Sequence, residues 1–186
     1  METVINLGIP HVGEQIFESL ETKDLAQWLE VSKAWKVLAE NVLLKRWKRR
    51  LYEACETGQS TIVKLLLDLG SNNIDINAQS DSGYTPLMTA CKRGHTEIVK
   101  LLLARENIDV DAQNKHGQTA FMLACMVGNL GVVKVLLDYP ESIDFNCEDY
   151  LGRTAFVLAG VWSGDREEVR KLLLKNSHRV DVTRIW

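Results

Sequence analysis

The sequence has few of the residues and none of the motifs that mark an enzyme or a metalloprotein. Its 186 residues include four histidines, four cysteines and three prolines, and the histidines are scattered. No Cys or His pair has the close spacing of a zinc site. Neither a phosphate-binding glycine loop nor a Gly-x-Ser-x-Gly or His-Glu-x-x-His motif occurs. We therefore expect a chain that catalyses no reaction and holds no cofactor and no metal.

Long apolar runs and a strong charge of either sign are also lacking. No apolar run approaches the roughly 20 residues that cross a bilayer, and the start Met1-Glu2-Thr3 lacks the positive region of a signal peptide. Residues 1–50 hold 8 basic and 7 acidic side chains, residues 51–186 hold 14 and 18, and the net charge is −3. The charge balance predicts no nucleic-acid partner, and the short apolar runs and the start of the sequence predict no membrane partner and a cytoplasmic protein.

Three of the four cysteines recur at one position of a repeating pattern. Cys55, Cys91 and Cys125 each follow an alanine and stand 36 and 34 residues apart. Such recurrence is typical of a small packed hydrophobe, and we favour that interpretation over a disulfide or a metal site. It fits a reducing, intracellular compartment.

Residues 80–114 show the repeating pattern most clearly. Gly83 indicates a turn, Thr85 can cap a helix start, and Pro86 at the first helical position needs no hydrogen-bond partner. Gly94 ends this helix, and an apolar second helix follows. The side chains expected to be buried are Leu87, Ala90 and Cys91 in the first helix and Ile98, Val99, Leu101, Leu102 and Leu103 in the second.

The pattern returns along the chain with a nearly constant period. Gly83, Gly117 and Gly152 are 34 and 35 residues apart, and Thr119-Ala120-Phe121 and Thr154-Ala155-Phe156 follow the later two glycines. Four units are predicted, near 47–79, 80–113, 114–148 and 149–182, with turns projecting at 79–84, 113–118 and 148–153. One such unit cannot bury its own apolar face, so neighbouring units must stack.

The segments Gly-Tyr-Thr-Pro-Leu and Gly-His-Thr-Glu-Ile-Val-Lys-Leu-Leu-Leu closely resemble the ankyrin repeat. This resemblance implies an all-α solenoid of about four repeats that binds a protein. It also implies that His95 starts a helix. The family's histidine after Thr-Pro-Leu is replaced, so we expect the side-chain hydrogen bond that usually ties the turn to be missing. The replacing residues are Met88, Met122 and Val157.

Residues 9–47 do not follow the repeat and carry the amphipathic spacing of three short helices. They read Ile-Pro, Ile-Phe-x-x-Leu, Asp-Leu, Val-Ser-x-x-Trp and Leu-Leu-x-x-Trp, which resembles an F-box. The domains are then an F-box-like module at 8–48 stacked on ankyrin repeats at 49–186. An alternative is a plain three-helix cap, and in either case Trp47 is expected to pack on Leu51, Ala54 and Ile62.

The F-box resemblance implies docking onto the Skp-type adaptor of a cullin ubiquitin ligase. The residues that match the pattern, and so would bind the adaptor, are Ile9, Pro10, Ile16, Phe17, Leu20, Leu25 and Val31. Near the end of the module a basic cluster surrounds Trp47. It can be a nuclear-import signal, which would make the nucleus a second location, but we favour a solvated helix face. The cluster comprises Lys45, Arg46, Lys48, Arg49 and Arg50.

Together the two resemblances predict the substrate-recognition subunit of a Skp-cullin-F-box ubiquitin ligase, which brings a client close to the ubiquitin-charged enzyme. Two alternatives remain open. One is a binding or sequestering protein whose N-terminal helices only cap the repeats. The other is a pathogen effector that redirects a host ligase.

The client is expected at the turns and at the loops after each first helix, where ankyrin proteins usually bind. Apolar residues occupy many of these positions, and basic residues flank them, so an acidic and apolar client segment is predicted. Trp162 can alternatively fold inward and cap the repeats. The predicted client-binding residues are Tyr84, Lys92, Arg93, Lys115, His116, Met126, Val127, Tyr150, Leu151, Arg153 and Trp162.

Overall fold

The structure is a computed structural model, and it describes residues 48–69, 75–139, 143–160 and 166–183. The chain divides into two units, Met1–Arg49 and Arg50–Trp186, and only residues 48 and 49 of the first unit are among the described residues. The predicted adaptor-binding residues, Trp47 and Trp162 lie outside the described residues. The predictions made for them therefore stay predictions.

The described residues form helices joined by turns, and no strand occurs among them, as predicted for an all-α fold. The helices come in pairs that follow the repeat period. They are α1 (described over residues 48–57) and α2 (Ser60–Leu69), α3 (Pro86–Arg93) and α4 (Thr96–Leu103), α5 (Ala120–Val127) and α6 (Leu130–Asp138), and α7 (Ala155–Gly160) and α8 (Glu167–Lys175).

The pairs stack in two layers. In the first layer α3 packs on α5 and α5 packs on α7, while in the second layer α2, α4, α6 and α8 pack in sequence. Each first helix also contacts the second helix of its own pair from α3 onward. Helices this short are marginal alone, so their stability comes from the apolar faces that they share.

Threonine caps the first helices of the second and third pairs, as the sequence predicts for Thr85. Its hydroxyl accepts a hydrogen bond from the backbone N–H of Met88 at 3.2 Å. The expected loss of the turn's side-chain hydrogen bond is wrong here. The flexible Met88 side chain folds back and its Sδ accepts from the Thr85 N–H at 3.4 Å, and Met122 does the same for Thr119. A thioether is a weak acceptor, but it satisfies this buried donor.

The fourth pair has no such substitute. Val157 offers no acceptor, and the hydroxyl of Thr154 is buried without a hydrogen-bond partner. A valine side chain carries neither oxygen nor sulfur, so the reciprocal capping of the second and third pairs cannot form.

Glycine ends the first helices, as predicted. Gly94 and Gly128 have left-handed backbones with φ of 79° and 89°. His95 then occupies the start of α4 but makes no side-chain cap, so its predicted role is only positional. Its Nε2 instead donates to the carbonyl of Glu56 at 3.1 Å, and Asn129 Nδ2 donates to the Cys91 carbonyl at 2.8 Å. These side chains cap the C-terminus of the preceding pair's first helix and tie neighbouring pairs together.

The core lies between the two layers. Cys55, Cys91 and Cys125 are free and fully buried, which confirms that they act as packed hydrophobes. Burial raises the pKa of the Cys55 thiol to about 12, so this thiol is protonated and inert at neutral pH. Leu101 is only half-buried, contrary to prediction, because it lies outside the helix face that carries the buried Ile98, Val99, Leu102 and Leu103. Leu65 and Val135 stand at the same repeat position and are also half-buried.

Side chains also bridge the loops that follow the second helices. Each of these bridges joins one unit to the next through an Asn or Asp oxygen and a backbone N–H. The acceptors are Asn77 for Asp109 (2.8 Å), Asp111 for Asp144 (3.2 Å) and Asn146 for Asp181 (2.6 Å).

Candidate protein-interaction surface

The three turns that precede α3, α5 and α7 share one geometry. Each is closed by a backbone hydrogen bond and contains a left-handed glycine. The bonds run from Ser80 to Tyr84 (2.9 Å), from Asn114 to Gln118 (3.0 Å) and from Asp149 to Arg153 (3.0 Å). We call residues 80–84, 114–118 and 149–153 the second, third and fourth tips, after their repeats.

Hydrogen bonds join each tip to the next. The backbone N–H of Lys115 donates to the carbonyl of Ser82 at 3.2 Å, and that of Tyr150 donates to the carbonyl of His116 at 3.1 Å. Beneath the tips, Gln113 Nε2 donates to the Glu148 carbonyl at 3.2 Å. The tips therefore form one continuous edge.

The fourth tip is held from inside by Asp149. Its fully buried carboxylate accepts from the backbone N–H groups of Leu151 and Arg153, each at 2.9 Å, and pairs with the Arg153 guanidinium at 2.6 Å. Burial alone would raise the pKa of Asp149, but the hydrogen bonds and charge of Arg153 outweigh burial and lower it. The carboxylate is thus ionised at neutral pH.

Two large apolar side chains project from this tip. Tyr150 is 73% exposed and Leu151 is 71% exposed. Neighbouring apolar and aromatic residues exposed on a rigid turn are unusual on a surface that only meets water. They form the most exposed apolar feature among the residues that the structure describes.

The other predicted client-binding residues follow the same edge. Lys92, Arg93, Lys115, His116 and Val127 are exposed, whereas Tyr84, Met126 and Arg153 are half-buried. The inter-tip bonds bring Lys115, His116, Tyr150 and Leu151 together. That these residues bind a client stays a prediction.

A groove of 180 Å³ lies beside the second tip. This groove was not predicted from the sequence. Its lining comes from α1, α3 and the second tip, and it consists of Tyr52, Glu56, Ser80, Ser82, Tyr84, Thr89, Lys92 and Arg93. Tyr52 was missed because the first unit lacks the glycine turn that identifies the others. The sequence does contain a signal for the position of Tyr52. The pairs Ala54-Cys55 and Ala90-Cys91 occupy the same repeat positions, and this alignment gives Tyr52 the repeat position of Met88.

The described residues contain no cluster of His, Cys, Asp or Glu that could hold a metal ion. Within the same residues, no helix is long and apolar enough to cross a membrane.

Comparisons with known proteins give several partial relatives and one family. The chain is 31% identical over 98 residues to the probable E3 ubiquitin-protein ligase XBOS33 of Oryza sativa subsp. japonica, which covers 53% of this chain and 18% of that protein. It is 43% identical over 53 residues to the E3 ubiquitin-protein ligase XBAT33 of Arabidopsis thaliana, a match that covers 28% of this chain and 10% of that protein. It is 36% identical over 90 residues to the glycerophosphocholine phosphodiesterase GDE1 of Candida albicans, a match that covers 48% of this chain and 7% of that protein.

These relatives differ in their names and are far longer, since the chain spans less than a fifth of each. Each match covers about half of this chain or less, and a shared segment alone does not fix a function. Ankyrin repeats do imply a protein partner. The profile of the ankyrin repeats, in three copies, matches residues 36–114 and 106–184. With the paired helices and linked tips described above, this shows that the chain belongs to the ankyrin-repeat family.

Proposed function

We propose that this protein is a non-catalytic substrate receptor of a Skp-cullin-F-box ubiquitin ligase. The ankyrin repeats hold a client protein, and residues 9–47 dock the adaptor. The single observation that carries the client-binding half is the fourth tip, where Tyr150 and Leu151 are exposed on a turn fixed by Asp149. Two ubiquitin ligases among the relatives support the ligase half.

The rigidity of the tip matters for affinity. Binding costs less when the contacting side chains are already ordered. Because Asp149 accepts from two backbone groups of the same turn, the backbone that carries Leu151 is ordered before a partner arrives. A tyrosine beside an apolar residue is also the kind of pair that anchors protein interfaces.

The adaptor half rests on the F-box-like residues named from the sequence, of which Pro10 and Phe17 are the two to substitute in a test. Such a receptor contributes proximity: it raises the local concentration of the client's lysines near the ubiquitin-charged enzyme. No residue of this chain has to perform chemistry, and a cytoplasmic location suits this role.

A second candidate is a binding protein unrelated to ubiquitin transfer. The phosphodiesterase among the relatives favours it, because the name of that protein refers to no ubiquitin ligase. Both candidates use the repeat edge in the same way. They differ in whether residues 9–47 capture an adaptor.

The client-binding half predicts which substitutions weaken binding. Tyr150→Ala and Leu151→Ala should each weaken it by about 1–3 kcal/mol, the usual contribution of an interface anchor. The test is to select binders for the full chain from a displayed library of random peptides of about 16 residues. Their affinities for the parent and the variants are then measured by fluorescence anisotropy.

Leu174→Ala is the matched control, because Leu174 is 50% exposed on α8, away from the tips. Its removal should leave peptide affinity unchanged. Peptides that bind the Tyr150 and Leu151 variants as tightly as the parent would place the client site elsewhere.

A further inference from the structure

The groove beside the second tip carries a charge pattern that the apolar fourth tip lacks. Its charged lining residues are Lys92, Arg93 and Glu56, which leaves one net positive charge. The remaining lining side chains all carry hydroxyl groups. A site lined by donors with one excess cation suits an oxygen ligand with a single negative charge.

Both cations are held in place by neighbours. The Lys92 ammonium lies 3.4 Å from the Tyr84 hydroxyl and 4.9 Å from the centroid of its ring, a cation–π contact. Arg93 forms an ion pair with Glu56 across two repeats. Because Glu56 already partners Arg93, the ammonium of Lys92 supplies the uncompensated charge.

Tyr52 contributes a hydroxyl that the chain satisfies poorly. The Tyr52 Oη is buried beside Ser80 and Thr89, which interact with it but complete no hydrogen bond of normal distance and angle. Burial raises the pKa of Tyr52 while those two neighbours partly oppose the rise, so the group keeps its proton at neutral pH. A buried donor without an acceptor costs stability, and a ligand acceptor would remove that cost.

We propose that this groove receives the carboxylate of an Asp or Glu side chain from the bound protein segment, with Lys92 and Tyr52 as its donors. The inference rests on the proposed protein-binding function. It fixes the direction in which the bound segment runs along the repeats. An acidic residue of the segment lies at the first and second repeats, and apolar residues lie at the fourth tip. A phosphoryl group is disfavoured, since a dianion would exceed the single net charge and meet Glu56.

The test uses the peptides selected with the full chain. They should carry Asp or Glu at one fixed distance from their apolar residues. Changing that acid to its amide should weaken binding to the parent by about tenfold. Tyr52→Phe and Lys92→Gln should each weaken binding of the acidic peptide by about tenfold and leave the amide peptide unchanged.

Tyr139→Phe is the matched control, because the Tyr139 hydroxyl is also buried but lies outside the groove. It should not alter peptide affinity. Melting curves by circular dichroism check that Tyr52→Phe still folds, and we expect a melting temperature at or above the parent's because the substitution removes a poorly satisfied buried hydroxyl.

Three results would overturn the inference. These are selected peptides that lack a fixed acid, an acidic peptide that binds Tyr52→Phe or Lys92→Gln as tightly as the parent, and tighter binding of a peptide with phosphoserine in place of the acid. The first two leave the proposed function standing if Tyr150→Ala still weakens binding. Peptides indifferent to Tyr150→Ala contradict the proposed surface, and failure to enrich any peptide contradicts both proposals.

Discussion

Gly117→Ala should destabilise the repeats far more than Gly152→Ala. Both glycines have left-handed backbones, with φ of 77° and 71°, so alanine costs about 1–2 kcal/mol at either position. At Gly117 the new Cβ would also lie 2.7 Å from the Tyr150 backbone nitrogen and 3.0 Å from the Asp149 Cα. Backbone atoms cannot rotate away, so we expect a total loss of about 3 kcal/mol or more in the free energy of unfolding.

Gly152 is the matched control because its Cβ would meet only a flexible side-chain oxygen, Glu148 Oε2, at 3.8 Å. Urea denaturation followed by circular dichroism measures both losses. Gly117→Ala should also weaken peptide binding, because relief of the clash separates the third tip from Tyr150. Equal losses for the two variants would show that the close contact between these tips is not formed.

Asp149→Ala should cost about 3–5 kcal/mol in the free energy of unfolding. The substitution removes a fully buried carboxylate and leaves the partly buried Arg153 without its ion-pair partner. It also leaves the N–H groups of Leu151 and Arg153 unsatisfied. Asp149→Asn should cost less, because its amide oxygen can still accept from both, as Asn114 does in the third tip.

The same carboxylate predicts the direction of the acid dependence. The folded pKa of Asp149 is lowered, so its contribution is full above the unfolded pKa of about 3.9 and is lost as the pH falls through the folded pKa. The difference in unfolding free energy between the parent and Asp149→Asn should therefore shrink below about pH 4. A difference that stays constant from pH 7 to pH 3 would show that the buried ion pair does not stabilise the tip.

Regularity made most of the fold predictable from the sequence. Thr85, Pro86 and Gly94 act locally, through capping and left-handed backbone, and therefore appear in the structure where the sequence placed them. Burial of the recurring cysteines was predictable for a related reason, because the same position in successive stacked units has the same environment. These are Cys55, Cys91 and Cys125.

Interactions between units were harder to predict. The sulfur of Met88 replaces the family's histidine as an acceptor, which depends on a rotamer that no pattern specifies. The bridges from Asn77, Asp111 and Asn146 recur every 34 or 35 residues, so their signal was present but resembled ordinary loop polarity. The place of Tyr52 in the groove depends on contact between the first and second units in three dimensions. The first unit lacks the glycine turn by which the other units can be aligned in the sequence.

In the proposed function, one chain joins a ligase adaptor to a client. Co-expression of the full chain, carrying an affinity tag, with an untagged Skp-type adaptor tests this most directly. We predict a stoichiometric complex that Tyr150→Ala retains and that the double variant Pro10→Ala with Phe17→Ala loses at unchanged helical content. If the adaptor washes away from the parent chain, or stays bound to the double variant, the ligase-receptor function is contradicted.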